Sequence, residues 1–279
     1  MFLTAILPHS ALVPYIERYV LMECSADEVF VSKLIPRCYP ALFFMSDAKG
    51  LFDLKLGSDS RLLERENVYV GGVSNEPGSL LMVGPVQCIV MIIKIEGFPL
   101  FFKEKVSLFT NKIVRITDAS GSWQHLNEQL WHRDTRSGDW ARLIDQFILK
   151  FIDETALFPV PDVILHALDL IQLHRGFISV NRIADNTFTC NRNLSRLFQE
   201  HIGIAPKRYV SMVRFSKVMD YYIKTPEKKL GPVLQRFPFY DHSHLSKEFF
   251  KFMGNSPTSL SNHDLSINTV LTRPPTILK

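Results

Sequence analysis

The sequence predicts an α+β protein of two domains, with an antiparallel β-barrel and two following helices in the N-terminal half and an all-helical domain in the C-terminal half. Three observations predict this division. Short apolar runs bounded by turn residues fill the N-terminal half, helical periodicity begins near residue 122, and a block of the C-terminal half recurs once at a fixed offset. The chain has 279 residues, which is enough for two domains of ordinary size.

The barrel and the two helices that follow it are expected within residues 1–154. Between about Val29 and Glu96, the apolar runs are rich in β-branched and aromatic residues and are separated by Gly, Pro, Asp or Ser. This pattern is typical of short strands in an antiparallel sandwich or barrel. The predicted strands are Ala41–Met45, Leu51–Leu56, Val68–Val70, Leu80–Val83 and Gln87–Ile95.

Two amphipathic helices are predicted after the strands, at residues 122–133 and 137–154. The second has a continuous apolar face, built by Trp140, Leu143, Ile144, Phe147, Ile148 and Phe151. Such a face either covers the barrel or forms the interface of a homodimer. Two prolines then break the helical period, and residues 155–162 are predicted to be a linker.

An internal repeat marks the C-terminal domain, expected at residues 163–262. Leu194-Ser195-Arg196-Leu197-Phe198 recurs as Leu245-Ser246-Lys247-Glu248-Phe249, Gly203 recurs as Gly254 and Pro206 as Pro257, always 51 residues later. The repeat indicates two copies of one helix-turn-helix unit joined by a helix. The predicted segments are the first unit at 179–203, the linking helix at 206–224, the second unit at 231–254 and a tail at 263–279.

The second helix of each unit has an apolar face and a polar face. The polar candidates are Asn191, Arg192, Ser195, Arg196 and Gln199 in the first unit and His242, Ser243, His244 and Lys247 in the second. Arginine can make two hydrogen bonds to guanine in the major groove, and hydroxyl and amide groups can contact bases or phosphates. One polar helix face is usually only a solvated surface. Its duplication favours two helices that read successive major-groove segments of double-stranded DNA, roughly 34 Å apart. We call the second helix of each unit its reading helix.

Positive charge is concentrated in the C-terminal part of the chain. Residues 1–159 carry 16 Lys and Arg against 19 Asp and Glu, a net charge of −3, whereas residues 160–279 carry 16 against 9, a net charge of +7. Contacts to phosphates need Lys and Arg, so a polyanionic partner is expected for the C-terminal part only.

Residues from about 163 to 260 resemble the DNA-binding domain of the AraC/XylS family of transcription regulators. The matching residues are Ile183-Ala184, Asn193 to Phe198, Gly203 to Pro206, Tyr209, Arg214-Phe215, Phe239 to Phe249 and Gly254 to Pro257. The resemblance implies seven helices, with the second helix of each unit in the major groove. By this resemblance, the readers are Arg192, Ser195 and Arg196 in the first unit and Ser243, His244 and Lys247 in the second.

The N-terminal half resembles, more loosely, the cupin-like β-barrel sensor domains of some family members. The family resemblance favours an activator, for which RNA polymerase would be a further partner. It leaves open whether a small organic effector binds in the barrel. Phe43, Tyr69 and Met91 are the candidate lining of such a pocket, although apolar strand residues are more often ordinary core.

Four residues depart from the family pattern. Leu234 stands where a small residue is usual, and Phe188 and Pro238 stand where the turns usually have glycine. Because Phe disfavours positive φ and Pro fixes φ, both turns are expected to be reshaped. Cys190 replaces a serine that caps the reading helix, so either Thr189 caps the helix or the helix frays. The second unit is then expected either to read bases or to contact phosphates only.

Other classes of function find little support in the sequence. No histidine lies between Ser10 and Gln124, so the barrel lacks the usual ligands of a catalytic metal, and we expect no enzyme, metal or cofactor. His242 and His244 alone make a poor zinc site. The alternative is a protein-interaction module with degenerate helix-turn-helix units, which the surviving cations at the reading positions disfavour.

Cysteine usage and hydropathy indicate the compartment. Four widely spaced cysteines, at positions 24, 38, 88 and 190, are expected to be reduced and buried. No apolar run approaches the roughly 20 residues of a membrane span, and the N-terminus lacks the basic region of a signal peptide. The protein is expected in the cytoplasm, without a membrane partner.

Overall fold

A computed structural model describes most of the chain. The described residues are 1–36, 38–102, 104–117, 121–132, 135–154, 160–225, 230–239, 241–257 and 267–268. Most of the predicted linker (155–159), the end of the first predicted helix (133) and most of the predicted tail lie outside the described residues.

The order of elements agrees with the predicted fold class. The strands are β1 (Phe2–Ile6), β2 (Ile16–Cys24), β3 (Val29–Leu34), β4 (Ala41–Met45), β5 (Leu51–Leu56), β6 (Asp59–Leu62), β7 (Val68–Gly71), β8 (Gly78–Val83), β9 (Val86–Ile93) and β10 (Ile113–Arg115). The helices are α1 (Phe98–Phe101), α2 (Ser122–Trp131), α3 (Asp139–Glu154), α4 (Asp162–Leu173), α5 (Val180–Asn186), α6 (Asn191–His201), α7 (Pro206–Lys224), α8 (Leu230–Arg236) and α9 (His242–Met253). An antiparallel β domain thus precedes a helical region, as predicted.

The β domain consists of two antiparallel sheets. One has six strands in the order β1-β2-β9-β4-β7-β10, and the other has four in the order β3-β8-β5-β6. One face of the six-stranded sheet packs on the four-stranded sheet through residues such as Phe43, Phe52 and Met82. Its other face packs on the helices through residues such as Phe44 and Met91. The six-stranded sheet is therefore the middle layer of the domain.

The list of predicted strands omitted β3, β6 and β10, and it also missed β1 and β2, which belong to the six-stranded sheet. In β2, Tyr19, Val20, Leu21 and Met22 are consecutive and all buried. A strand covered on both faces reads as a continuous apolar run, which periodicity alone does not distinguish from a buried helix.

The apolar stripe of α3 packs within this chain, as expected for a helix that covers the barrel. Trp140, Ile144 and Ile148 are fully buried, and Trp140 contacts Tyr19 of β2 edge to face at 6.4 Å. The Tyr19 hydroxyl donates a hydrogen bond to Asp145 Oδ1 at 2.8 Å, so α3 is also held by a polar contact. The centre of this face is therefore covered within the chain, while Leu143, Phe147 and Phe151 are half-buried.

The C-terminal region confirms the repeat. Leu194 and its counterpart Leu245 are both fully buried, and Gly203 and Gly254 both end their helices with positive φ, 83° and 69°. Positive φ is the conformation that glycine adopts at the end of a helix without steric cost. Among the described residues this region has six helices, α4 to α9, and α7 has the predicted bounds.

Candidate nucleic-acid interface and barrel cavity

Local hydrogen bonds define the first helix-turn-helix unit. The Ser179 hydroxyl accepts a hydrogen bond from the Arg182 amide at 3.2 Å and caps α5. In the turn, the buried Thr187 hydroxyl donates to the Ile183 carbonyl at 2.8 Å, and the Thr189 amide donates to the Ala184 carbonyl at 3.0 Å. These hydrogen bonds pair backbone N–H and C=O groups that have no partner within the helix at its ends. The turn therefore fixes the angle at which α6 leaves α5.

Phe188 occupies the left-handed position of this turn. Its φ is 50°, and its side chain is 96% exposed. The turn thus keeps a conformation that suits glycine although a phenylalanine stands there. Left-handed backbone costs a non-glycine residue about 1–2 kcal/mol, because Cβ approaches the following carbonyl oxygen.

Phe188→Gly is expected to raise the free energy of unfolding by about 0.5–1 kcal/mol, since relief of the left-handed strain outweighs the chain entropy of glycine. The increase is measured as a higher Tm. Phe188→Ala is the matched control, because alanine removes the exposed ring but keeps Cβ. An equal gain from Phe188→Ala would show that the ring, not the backbone, is unfavourable.

Cys190 remains the N-cap of α6, so neither expected alternative is correct. Its Sγ accepts from the Asn193 amide at 3.5 Å, while the Thr189 hydroxyl accepts from the Asn193 side-chain amide at 2.8 Å. Helix α6 begins directly after the cap, at Asn191. Cys190 is also exposed, which corrects the expectation of a buried thiol, whereas the cysteines at 24, 38 and 88 are buried.

All five predicted residues of α6 are exposed, but they differ in what they contact. The side chains of Arg192 and Ser195 make no hydrogen bond to another described residue. Asn191 donates to the Asn181 side chain at 2.9 Å. Arg196 is paired with Glu200 Oε2 at 3.0 Å, and Gln199 donates to the Gly203 carbonyl at 3.2 Å. The polar side chains without a hydrogen-bond partner among the described residues thus lie in the N-terminal half of α6. This is the half that reads bases in helix-turn-helix proteins.

The four predicted residues of α9, His242, Ser243, His244 and Lys247, are also exposed. Asp241 caps this helix by accepting from the His244 amide at 2.7 Å, so Asp241 has the role that Cys190 has 51 residues earlier. The His244 ring packs edge to face on Phe239, with centroids 5.5 Å apart. The second reading helix is therefore as well capped as the first.

The turn of the second unit is longer than that of the first. Residues 237–241 separate α8 from α9, whereas residues 187–190 separate α5 from α6. Pro238 lies in the longer turn, and the Phe239 amide donates to the Phe237 carbonyl at 2.8 Å. The two units therefore differ in the length of their turns, and the reshaping of the second turn relative to the family stays a prediction.

An ion pair that the sequence pattern did not reveal holds α9 against α7. Arg214 Nη2 lies 3.1 Å from Glu248 Oε2, and the two side chains are only 20% and 9% exposed. The same guanidinium lies 5.7 Å from the centre of the Phe177 ring, in the segment before α5. Glu248 stands where the first unit has the buried Leu197. The replacement of a buried leucine by glutamate at this repeat position is the sequence feature that could have indicated a buried ion pair.

Both reading helices contact the β domain through their C-terminal ends. At α6, Lys105 Nζ lies 3.1 Å from Glu200 Oε1, and the Thr110 hydroxyl donates to the Gly203 carbonyl at 3.1 Å. After α9, Lys33 donates to the Asn255 side chain. The described polar contacts thus leave the N-terminal halves of α6 and α9 free.

Glu200 links the first reading helix to the β domain. It pairs with Arg196 on its own helix and with Lys105 of the β domain. The hydrogen bond and charge of Lys105 lower the pKa of the Glu200 carboxyl, with a smaller contribution from Arg196. Glu200 is therefore an anion at neutral pH, beside a helix expected to approach phosphates.

Glu200→Gln is expected to strengthen DNA binding by about twofold to fivefold, because it removes a negative charge and leaves the Arg196 guanidinium without its ion-pair partner. The dissociation constant is measured by fluorescence anisotropy at low and physiological salt. Lys105→Ala is the control, since it also breaks the interdomain pair but leaves Arg196 bound to Glu200. If Lys105→Ala gives an equal gain, release of the β domain rather than of Arg196 is responsible.

A cavity of about 130 Å³ lies between the two sheets of the β domain. Its lining is mostly apolar, with Phe43, Phe52 and Leu80 among the residues, and includes the polar residues Tyr39, Ser74, Glu76 and Asn268. Such a cavity suits an organic ligand with a few polar groups.

Of the three predicted pocket residues, only Phe43 lines this cavity. Met91 pairs with Leu42, one residue from Phe43 in the register, and therefore points to the opposite face, towards the helices. Tyr69 lies opposite Phe43 on the neighbouring strand, but its hydroxyl accepts from the Glu64 amide at 3.0 Å, away from the lining residues. Tyr69 and Met91 therefore do not line this cavity.

Two further features bear on function. Within the described ranges, no three His, Cys, Asp or Glu residues are grouped so as to hold a metal ion. No helix in that part of the chain is both long and apolar enough to cross a membrane.

Comparison with known families agrees with the two capped units. The family model described as a helix-turn-helix domain matches residues 183–263. The C-terminal region is an AraC-type helix-turn-helix domain. The match covers the end of α5 through both reading helices, so the AraC-type domain includes every residue predicted to contact DNA.

The β domain has a separate match. A family model described as a domain of unknown function, DUF6597, matches residues 4–115. No curated protein matches the chain.

Solved structures show the same fold class. The structure of ToxT from Vibrio cholerae has a TM-score of 0.50 and 12% identity, over 86% of this chain and 96% of ToxT. A structure of ToxT with a bound unsaturated fatty acid has a TM-score of 0.48 and 15% identity, over 85% of this chain and 91% of that one. The fold of this chain is thus similar to that of a solved protein, ToxT.

Proposed function

We propose that this chain is a sequence-specific DNA-binding transcription regulator, with α6 and α9 in successive major-groove segments of double-stranded DNA. The observation that carries the proposal is the duplicated unit: both second helices are capped, and both expose polar, cation-bearing faces away from their contacts with the β domain. A protein-interaction module would not need two such faces.

The linking helix supports simultaneous binding by both units. Helix α7 has 19 residues, which corresponds to a length of about 28 Å at 1.5 Å per residue. Successive major-groove segments on one side of DNA lie roughly 34 Å apart. A linking helix of this length is compatible with α6 and α9 of one chain in successive major-groove segments, and the proposal does not require a homodimer.

The geometry suggests a division of roles on the reading helices. Arg192 and Ser195 are proposed to contact bases, because they are exposed and bound to no other described residue. Asn191, at the first position of α6, is proposed to contact a phosphate, with the exposed Arg182 of α5 as a partner that the sequence analysis missed. In α9, His242, Ser243, His244 and Lys247 are the proposed contacts.

Regulation is proposed to act through the β domain. Its cavity is the proposed effector site, and the Lys105–Glu200 pair connects that domain to the first reading helix. The family favours activation, with RNA polymerase as partner and the cytoplasm as the place of action. No catalytic role, metal or cofactor is proposed.

The test is a binding titration of the full chain against the DNA upstream of its own gene, across a salt series. We expect selective binding over a scrambled duplex of the same composition and an affinity that falls steeply as salt rises. Equal binding to both duplexes would reduce the proposal to non-specific phosphate contact. Binding to neither duplex would favour the protein-interaction module.

A further inference from the structure

Two residues far from the β domain in sequence form part of the wall of the barrel cavity. Ile267 is 6% exposed and Asn268 is 1% exposed. Both line the cavity, and Ile267 belongs to the apolar cluster between the two sheets. A segment beyond the second helix-turn-helix unit therefore contributes to the core of the other domain.

Hydrogen bonds hold this segment on β3, an edge strand of the four-stranded sheet. Asn268 Oδ1 accepts from the Ile35 amide at 3.1 Å, and Asn268 Nδ2 donates to the Lys33 carbonyl at 2.6 Å. The Ile267 amide donates to the Ser32 hydroxyl at 3.4 Å. The Asn268 side chain thus supplies the acceptor and donor that a neighbouring strand would supply.

The remaining space is small while Ile267 is in place. The cavity measures about 130 Å³, close to the roughly 150 Å³ of a dry cavity that holds benzene. Sites for larger organic ligands measure about 300–1,000 Å³. A molecule larger than one aromatic ring therefore needs space that Ile267 fills.

The same segment connects the cavity to the second unit. Pro257, the last described residue before this segment, accepts a hydrogen bond at its carbonyl from the Tyr222 hydroxyl of α7 at 3.2 Å. Lys33 binds Asn268 through its carbonyl and Asn255 through its ammonium group. Release of Asn268 therefore removes a contact at Lys33 directly beside the contact that Lys33 makes with Asn255.

We propose that the segment containing Ile267 and Asn268 is an intramolecular occupant of the barrel cavity, and that an apolar molecule larger than one aromatic ring binds only by displacing it. The inference rests on the proposed function only in treating the cavity as the effector site. Docking of the segment does not require DNA. Ligand binding and docking of the segment are mutually exclusive states of one cavity.

The test compares the full chain with Ile267→Asp and Asn268→Ala. The readouts are hydrogen exchange at the Ile35 amide and binding of the fluorescent probe 1-anilinonaphthalene-8-sulfonate, which is larger than one ring. Val29→Asp is the matched control, because it places the same charge at an exposed position of β3. Exchange at the central Met91 amide reports whether the domain as a whole stays folded.

Both variants are expected to exchange the Ile35 amide about tenfold faster and to bind the probe at least about fivefold more tightly, with exchange at Met91 unchanged. Unchanged exchange and probe affinity would overturn the proposal. Weaker probe binding by Ile267→Asp would also overturn it, since Ile267 would then line the ligand site rather than fill it. Neither readout uses DNA, so failure of the DNA titration is a separate result.

Discussion

Glu248→Leu is expected to lower the free energy of unfolding by about 2–3 kcal/mol, although leucine is the residue at the equivalent position of the first unit. The substitution leaves Arg214 mostly buried without its carboxylate partner. The expected decrease in the free energy of unfolding is smaller than the full cost of breaking a buried ion pair, because the Arg214 side chain is still 20% exposed. A fall in Tm of roughly 5–10 °C is the first measurement.

The double variant Glu248→Leu with Arg214→Met is the control. Removing both charges at similar side-chain volume is expected to restore stability to within about 1 kcal/mol of the native protein. Hydrogen exchange of the α9 amides locates the effect in the second unit. If the double variant is as unstable as Glu248→Leu, the pair does not act as a coupled unit and Glu248 stabilises α9 in another way.

Arg192→Ala is expected to weaken specific DNA binding by about 1–3 kcal/mol, a fivefold to 150-fold rise in Kd, with Tm unchanged. Arg192 is exposed in the N-terminal half of α6 and bound to no other described residue, so its removal disturbs no described contact of the fold. Loss of a base contact also lowers discrimination between the operator and a scrambled duplex.

Arg61→Ala on the barrel strand β6 is the matched control, since it removes the same charge from an exposed position of the β domain. It is expected to leave Kd within about twofold of the native value. If Arg192→Ala weakens binding to operator and scrambled duplex equally, Arg192 contacts a phosphate. If the two variants have the same small effect, α6 is not the reading helix.

The sequence by itself determined the local organisation of the C-terminal region. The 51-residue repeat, the glycines with positive φ and the linking helix at 206–224 follow from caps, breakers and periodicity, which act over a few residues. The exposed face of each reading helix was predictable for the same reason, because the spacing of Leu194 and Phe198 fixes the buried side of α6.

Only the tertiary structure decided which of these exposed residues are free. Arg196 and Gln199 are engaged by partners four residues further on, Glu200 and Gly203, and the β domain holds both partners in place through Lys105 and Thr110. Helical periodicity assigns a residue to a face, but it does not indicate what packs against the end of the helix.

The β domain shows the same limit more strongly. Sequence patterns located several strands but not the faces of the middle sheet, so Met91 was a candidate for the cavity although it faces the helices. A one-residue difference in register reverses the direction of a side chain, and register is set by pairing between distant segments. For that same reason no local pattern indicated that Asn268 pairs with the edge of β3, some 235 residues away in sequence.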